Sequence, residues 1–86
     1  MQEIEIYTTR FCGFCHAAKR LLDERGLAYS EIDVTGDSEG RAAMTQRAAG
    51  RTSVPQIFVG TTHVGGCDDL YALDSSGKLD SLISGV

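Results

Sequence analysis

The sequence has no apolar run of membrane length, no surplus of basic residues, only three cysteines, and a single proline, Pro55. Each shortage excludes something. Without a long apolar run there is no transmembrane helix to expect. A net charge of −4, with acidic residues spread along the chain, leaves no basic face for nucleic acid. Every basic residue except Lys78 falls at or before Arg51, so a local cationic site in that part stays open. An odd number of cysteines argues against a disulfide-stapled secreted scaffold. Nothing resembles a signal peptide either, since Met1-Gln2-Glu3 opens directly into a strand pattern. The expected location is the cytoplasm, where a Cys-x-x-Cys pair is more often catalytic or metal-binding than structural.

What is present fits one domain, residues 1–86, with 42% hydrophobic residues and a single modest core. "EIEIYT" (3–8) alternates polar and apolar as a half-buried strand does. From Gly13 the period becomes helical: Phe14, Ala17, Ala18, Leu21 and Leu22 share one stripe, and Gly26 supplies the stop. "AYSEIDV" (28–34) reads as a second strand. A polar connection follows, in which Asp37 or Ser38 caps a helix running to about Ala49, with Ala43, Met44 and Ala48 on its buried side. "QIFVGTTHVGG" (56–66) predicts a hairpin turning at Gly60-Thr61, and one or two short helices, separated near Gly77, close the chain. There is no repeat, linker or low-complexity segment. A βαβ unit followed by a hairpin gives an α/β fold, a four-stranded mixed sheet flanked by helices.

At the first strand-to-helix junction stands Cys12-Gly13-Phe14-Cys15-His16. This short string satisfies three patterns: a c-type haem attachment, half of a zinc site, and a redox dithiol. Haem needs an axial ligand from Met44 or His63, a largely helical chain and export, and the pattern of elements offers neither of the last two. His16 is then a polar first-turn residue on an exposed helix face. A zinc site would join Cys12 and Cys15 to His63 and Cys67, which are four apart. The intervening segment, however, is far longer than in a zinc ribbon and folds by pattern without a metal.

The dithiol reading uses the whole neighbourhood. Cys12 falls at a helix N-terminus, where free N–H groups and the positive dipole end stabilise a thiolate nucleophile. Arg10 and Lys19 add positive charge nearby. Cys15, one turn on, shares its face at a spacing that suits a disulfide, and its deeper position makes it the second to act.

With "RTSVPQIF" (51–58) and "GGCDDL" (65–70) added, the chain from Ile4 to Leu82 resembles the glutaredoxins, particularly the small bacterial dithiol type. The resemblance implies a thioredoxin-like fold and a monomer that uses glutathione to reduce protein–glutathione mixed disulfides and protein disulfides. Cys12 would be the nucleophile and Cys15 the resolving thiol. It also implies a cis peptide bond before Pro55, against the general preference of X–Pro bonds for trans. Val54 would then offer its backbone to the cysteinyl part of glutathione as an added strand does. The α-helical amides at Cys67 and Asp68, after Gly66, would take the γ-glutamyl carboxylate, with Asp68 on the amine. Arg41 matches a basic position facing the glycine carboxylate, and Arg10, Phe14 and Ser53 complete the implied contacts.

This sequence departs from the common pattern at three places. Thr9, with Arg10 beside it, stands where the family usually has lysine; Gly13-Phe14 replaces Pro-Tyr; Ser53 replaces threonine. Glycine after the nucleophile also occurs in glutaredoxins that bridge two copies with a [2Fe–2S] cluster, held by Cys12-type thiolates and glutathione. A cluster-carrying dimer is therefore the alternative, while a glutathione-independent thioredoxin-type partner would leave "GGCDDL" without a purpose. The blander expectations are that Cys67 is a small residue at a helix start, and that Arg47 and Arg51 solvate a helix face.

Overall fold

The computed structural model describes residues 1–85. Eight elements follow in order: β1 (Ile4–Thr8), α1 (Gly13–Glu24), β2 (Ser30–Asp33), α2 (Ser38–Arg47), β3 (Gln56–Val59), β4 (Thr62–Gly65), α3 (Cys67–Ser75) and α4 (Lys78–Ser84). They form a sheet of order β2-β1-β3-β4. β1 runs parallel to β2 and antiparallel to β3, and β3 pairs antiparallel with β4. The mixed sheet flanked by helices is the one the element pattern predicts.

Strand periodicity sorts the core into two halves. Ile4 and Ile6 of β1 and Ile57 and Val59 of β3 meet Ala18, Leu21 and Leu22 of α1, with Leu70 of α3 and Leu79 and Ile83 of α4. On the other side Tyr7 and Phe58 meet Val34 and the α2 residues Met44 and Ala48. Each large aliphatic side chain buried in this way contributes about 1.5–3 kcal/mol. The Tyr7 and Phe58 rings pack edge to face, with centroids 5.7 Å apart.

Four expectations need correction. β1 is not half-buried: it is a central strand covered on both faces, and its Glu5 carboxylate is tied to Arg47 at 2.6 Å. Ala43 faces solvent, because α2 is short and turns only Met44, with its cap Ala48, onto the sheet. Phe14, in the first turn of α1, leaves the buried stripe of Cys15, Ala18, Leu21 and Leu22 and stands 66% exposed. The second strand is also shorter than its pattern, beginning at Ser30 after Ala28 and Tyr29.

Asp37 caps α2, its carboxylate accepting from the Gly40 N–H at 2.9 Å. At its far end Ala49 takes φ +56° and Gly50 φ +94°, which stops the helix and sends the chain back toward the sheet. The loop from Arg51 to Pro55 lies there, and the Val54–Pro55 bond is cis. Among the described residues no helix is long and apolar enough to cross a membrane.

Candidate active site

Cys12 is the N-cap of α1, in extended conformation, and its sulfur accepts the Cys15 N–H at 3.2 Å. Backbone amides at a helix start are otherwise unpartnered donors, so this one holds electron density on the Cys12 sulfur. The Cys12 thiol donates in turn to the Val54 carbonyl at 3.7 Å, which brings the start of α1 against the loop before Pro55. Cys12 is partly exposed, whereas Cys15 is completely buried, and both are free thiols. Burial, and then a hydrogen bond to Cys12, push the Cys15 thiol up to about 12. It is therefore protonated at neutral pH. Of the two sulfurs, Cys12 is the one open to solvent and Cys15 the one shut behind it.

Beside Cys12 opens a groove of about 420 Å³ lined by Phe14, Ser53, Val54, Pro55, Gly66, Cys67 and Asp68, together with Arg51 and Asp69. One wall is the loop into β3 and the other is the N-terminus of α3. Of the two glycines between these walls, Gly65 is the one the geometry requires, while a side chain at Gly66 would meet only ordinary contacts. A Cβ at Gly65, whose φ is +120°, would run into the Asp69 carboxylate, and one at Gly66 would stand 3.5 Å from the Pro55 carbonyl oxygen. Asp69 accepts from the Gly66 N–H at 2.9 Å and pairs with Arg51 at 3.1 Å. The Gly66 amide first, and Arg51 second, hold the Asp69 carboxyl below the usual carboxylate range. Cys67 is buried, and burial followed by the nearby Asp68 charge pushes its thiol up.

Seven of the sequence-predicted residues thus share one groove, and two do not. Arg10 is exposed, and its backbone N–H donates to Thr35 Oγ1 at 2.7 Å. Arg41 lines a separate hollow with Val34, Asp37 and Thr52, and donates to the Thr52 carbonyl at 3.1 Å. Lys19 is occupied by Glu31 at 2.9 Å. Neither Arg47 nor Arg51 merely solvates a helix face. Arg47 lies over the Phe58 ring at 4.0 Å, and Arg51 forms part of the groove.

Sequence reasoning missed Arg51, Asp69 and Gln56 in the neighbourhood of the site. Arg51 stands directly between the helix stop at Gly50 and the Ser53-Val54-Pro55 turn, a position on the loop itself that could have drawn notice. The zinc arrangement does not form. His63 Nε2 is engaged with Gln56 Oε1 at 2.7 Å, and no three His, Cys, Asp or Glu side chains converge as metal ligands among the described residues.

Comparison with known proteins gives the same direction. The Glutaredoxin family model matches residues 4–64. Glutaredoxin 3 of Escherichia coli strain K12 is 49% identical over 83 residues, covering 96% of this chain and 99% of that protein. The solution structure of glutaredoxin from Brucella melitensis superposes with a TM-score of 0.85 at 52% identity, covering 96% of this chain and 89% of that one. The crystal structure of a buckwheat glutaredoxin–glutathione complex superposes with a TM-score of 0.87 at 31% identity, covering 98% of this chain and 78% of that one.

Proposed function

The chain belongs to the glutaredoxin family, a thiol–disulfide oxidoreductase by that membership, and on this premise we propose that glutathione is its co-substrate. The observation that carries the proposal is the groove beside Cys12, walled by the Val54–Pro55 backbone and the α3 N-terminus. The buckwheat relative whose structure is a glutathione complex supports the same ligand.

Glutathione needs three kinds of partner: a sulfur to join, a backbone edge for its central peptide groups, and donors for its carboxylates. Cys12 supplies the first and Val54 the second, by strand addition. The amides of Cys67 and Asp68 at the start of α3 supply donors for the γ-glutamyl carboxylate, and Asp68 faces its amine. Arg51 lies in the groove wall, where the glycine carboxylate would reach it, whereas Arg41 lines a separate hollow.

Cys12 as thiolate attacks the glutathione sulfur of a protein mixed disulfide. The old S–S bond breaks, the substrate sulfur leaves and takes a proton, and Cys12 carries glutathione. The thiolate of a second glutathione attacks this adduct, releasing glutathione disulfide and free Cys12. For protein disulfides Cys12 attacks one substrate sulfur instead, the S–S bond breaks, and the other substrate sulfur leaves and takes a proton. Cys15 then loses its proton and attacks the Cys12 sulfur of this Cys12–substrate disulfide. That step forms the Cys12–Cys15 disulfide and expels the substrate thiol. Two glutathiones then restore the dithiol. The protein acts in the cytoplasm as a single domain and a monomer.

Amide NMR spectra test the ligand directly. Glutathionylating Cys12 in the Cys15→Ser variant should shift Val54, Gly66, Cys67 and Asp68 most. Shifts confined to α1 would mean that glutathione does not occupy the groove.

A second reading, a [2Fe–2S] carrier, has one observation in its favour. Cys12 is the partly exposed cysteine, Phe11 and Phe14 stand 92% and 66% exposed beside it, and a Cβ at Gly13 would meet nothing. A surface of this kind can face a second copy. Cys12 from each copy and two glutathione thiolates would hold the cluster, which supplies one-electron chemistry. Anaerobic reconstitution with iron, sulfide and glutathione should then give a coloured dimer that Gly13→Pro weakens. A colourless monomer would dismiss it.

A further inference from the structure

Gln56 is polar and completely buried, and both ends of its amide have a partner. Its Nε2 donates to the Ser53 carbonyl at 2.9 Å and reaches Ser53 Oγ at 3.3 Å. Its Oε1 lies 2.7 Å from His63 Nε2. The orientation of this amide is not free. A carbonyl only accepts, so the Gln56 nitrogen must face Ser53. The oxygen then faces His63, which must carry a proton on Nε2 to donate. The imidazole is itself held, stacked on Phe58 with centroids 4.9 Å apart.

The Ser53 carbonyl shares one rigid planar peptide unit with the Val54 N–H. That unit is trans, the cis bond being the next one along, so its C=O and N–H point in opposite directions. Gln56 pulls the carbonyl toward the buried side, and the Val54 N–H is thereby aimed the other way, toward the groove that Val54 lines. Strand pairing cannot do this, because the register of β3 with β1 begins only at Gln56.

We propose that Gln56, its amide oriented by His63, is a positioning residue that aims the Val54 N–H at the cysteinyl group of glutathione. The inference rests on the glutathione reading above. It says why a buried glutamine follows the proline and why a histidine of β4, paired in register with Phe58, reaches that glutamine's amide. Neither side chain lines the groove, so neither is expected to touch the substrate.

The test compares one peptide whose thiol is capped either with glutathione or with 2-mercaptoethanol, which has no peptide group for Val54 to bind. The wild type should prefer the glutathione-capped peptide. Gln56→Met and His63→Phe should each lose about tenfold of that preference, the effect of removing one well-placed hydrogen bond to a buried group. The loss should appear in KM more than in kcat. His63→Gln, which still has an N–H to offer, should recover part of it. A general structural role would depress both substrates alike. Equal depression, or full preference in both Gln56→Met and His63→Phe, overturns the inference. If Gln56→Met does not fold, His63→Phe decides alone, since it keeps the stack on Phe58. A wild type without preference would instead refute the glutathione reading, and the inference with it.

Discussion

The backbone N–H of Cys15 donates to the sulfur of Cys12 at 3.2 Å, so in the proposed reaction the residue that acts second also holds the sulfur that acts first. The donor is main chain, and a serine at position 15 keeps it. Cys15→Ser should therefore retain most deglutathionylation while losing reduction of protein disulfides that need a resolving thiol. Cys12→Ser should reduce both to background. Substantial turnover of a glutathionylated peptide by Cys12→Ser would overturn the assignment.

The Cys15 thiol, pushed up to about 12 by burial and by its bond to Cys12, should resist modification. Iodoacetamide at pH 7 to about 9 should alkylate Cys12 and leave Cys15 intact in the folded, reduced protein. Alkylation of both at equal rates, read by peptide mass mapping, would contradict the order of action.

Cys67 is buried, with its thiol likewise pushed up, by burial first. The role proposed for it in the groove belongs to its amide. In an oxidised, alkylated sample it should remain a thiol, and a disulfide from Cys67 to Cys12 or Cys15 would count against that role.

Much of this was legible from the sequence, for reasons that differ between elements. The junction of β1 and α1 could be read because a change of period from two to three or four happens at Cys12, and a helix start has known chemistry. Register could not be read, since β1 looks half-buried until α2 is seen covering its second face through Met44 and Ala48. The polar residues that fix the site were the least visible. Gln56 sits in a strand where alternation predicts only a face, and its bonds to Ser53 and His63 depend on the β3–β4 pairing. Arg41 was the reverse case, a residue suggested by resemblance that the fold places in the hollow next to the groove.

Ala49 is the one non-glycine with positive φ among the described residues, at +56°. An L side chain there costs about 1–2 kcal/mol. Ala49→Gly relieves this and gives back part as unfolded-state entropy. A net gain of about 0.5–1 kcal/mol is expected, a rise in Tm of several degrees for a chain of this size. An unchanged or lower Tm would mean that the turn is not strained at this residue.

Acid should weaken the fold in two stages. Burial, and then Arg51, hold the His63 pKa below its ordinary 6.5, so the unfolded chain binds that proton more readily. The corresponding stability is complete above pH 6.5 and is lost as pH falls through the folded value. Asp69, held below its ordinary 3.8 by the Gly66 amide and Arg51, adds stability that is lost below that pH. Urea midpoints against pH should show a slope below about pH 6.5 that His63→Phe flattens, and a steeper one below about pH 4 that Asp69→Asn reduces. A slope unchanged by His63→Phe would assign the first stage elsewhere.

In the proposed reaction Cys12 takes glutathione, and not the protein, from a mixed disulfide. Mixing the Cys15→Ser variant with an equimolar glutathionylated peptide, quenching in acid and weighing the products tests it in one turnover. The expected products are protein heavier by one glutathionyl group on Cys12 and peptide released as a free thiol. Protein joined to the peptide, or no adduct at all, would contradict it.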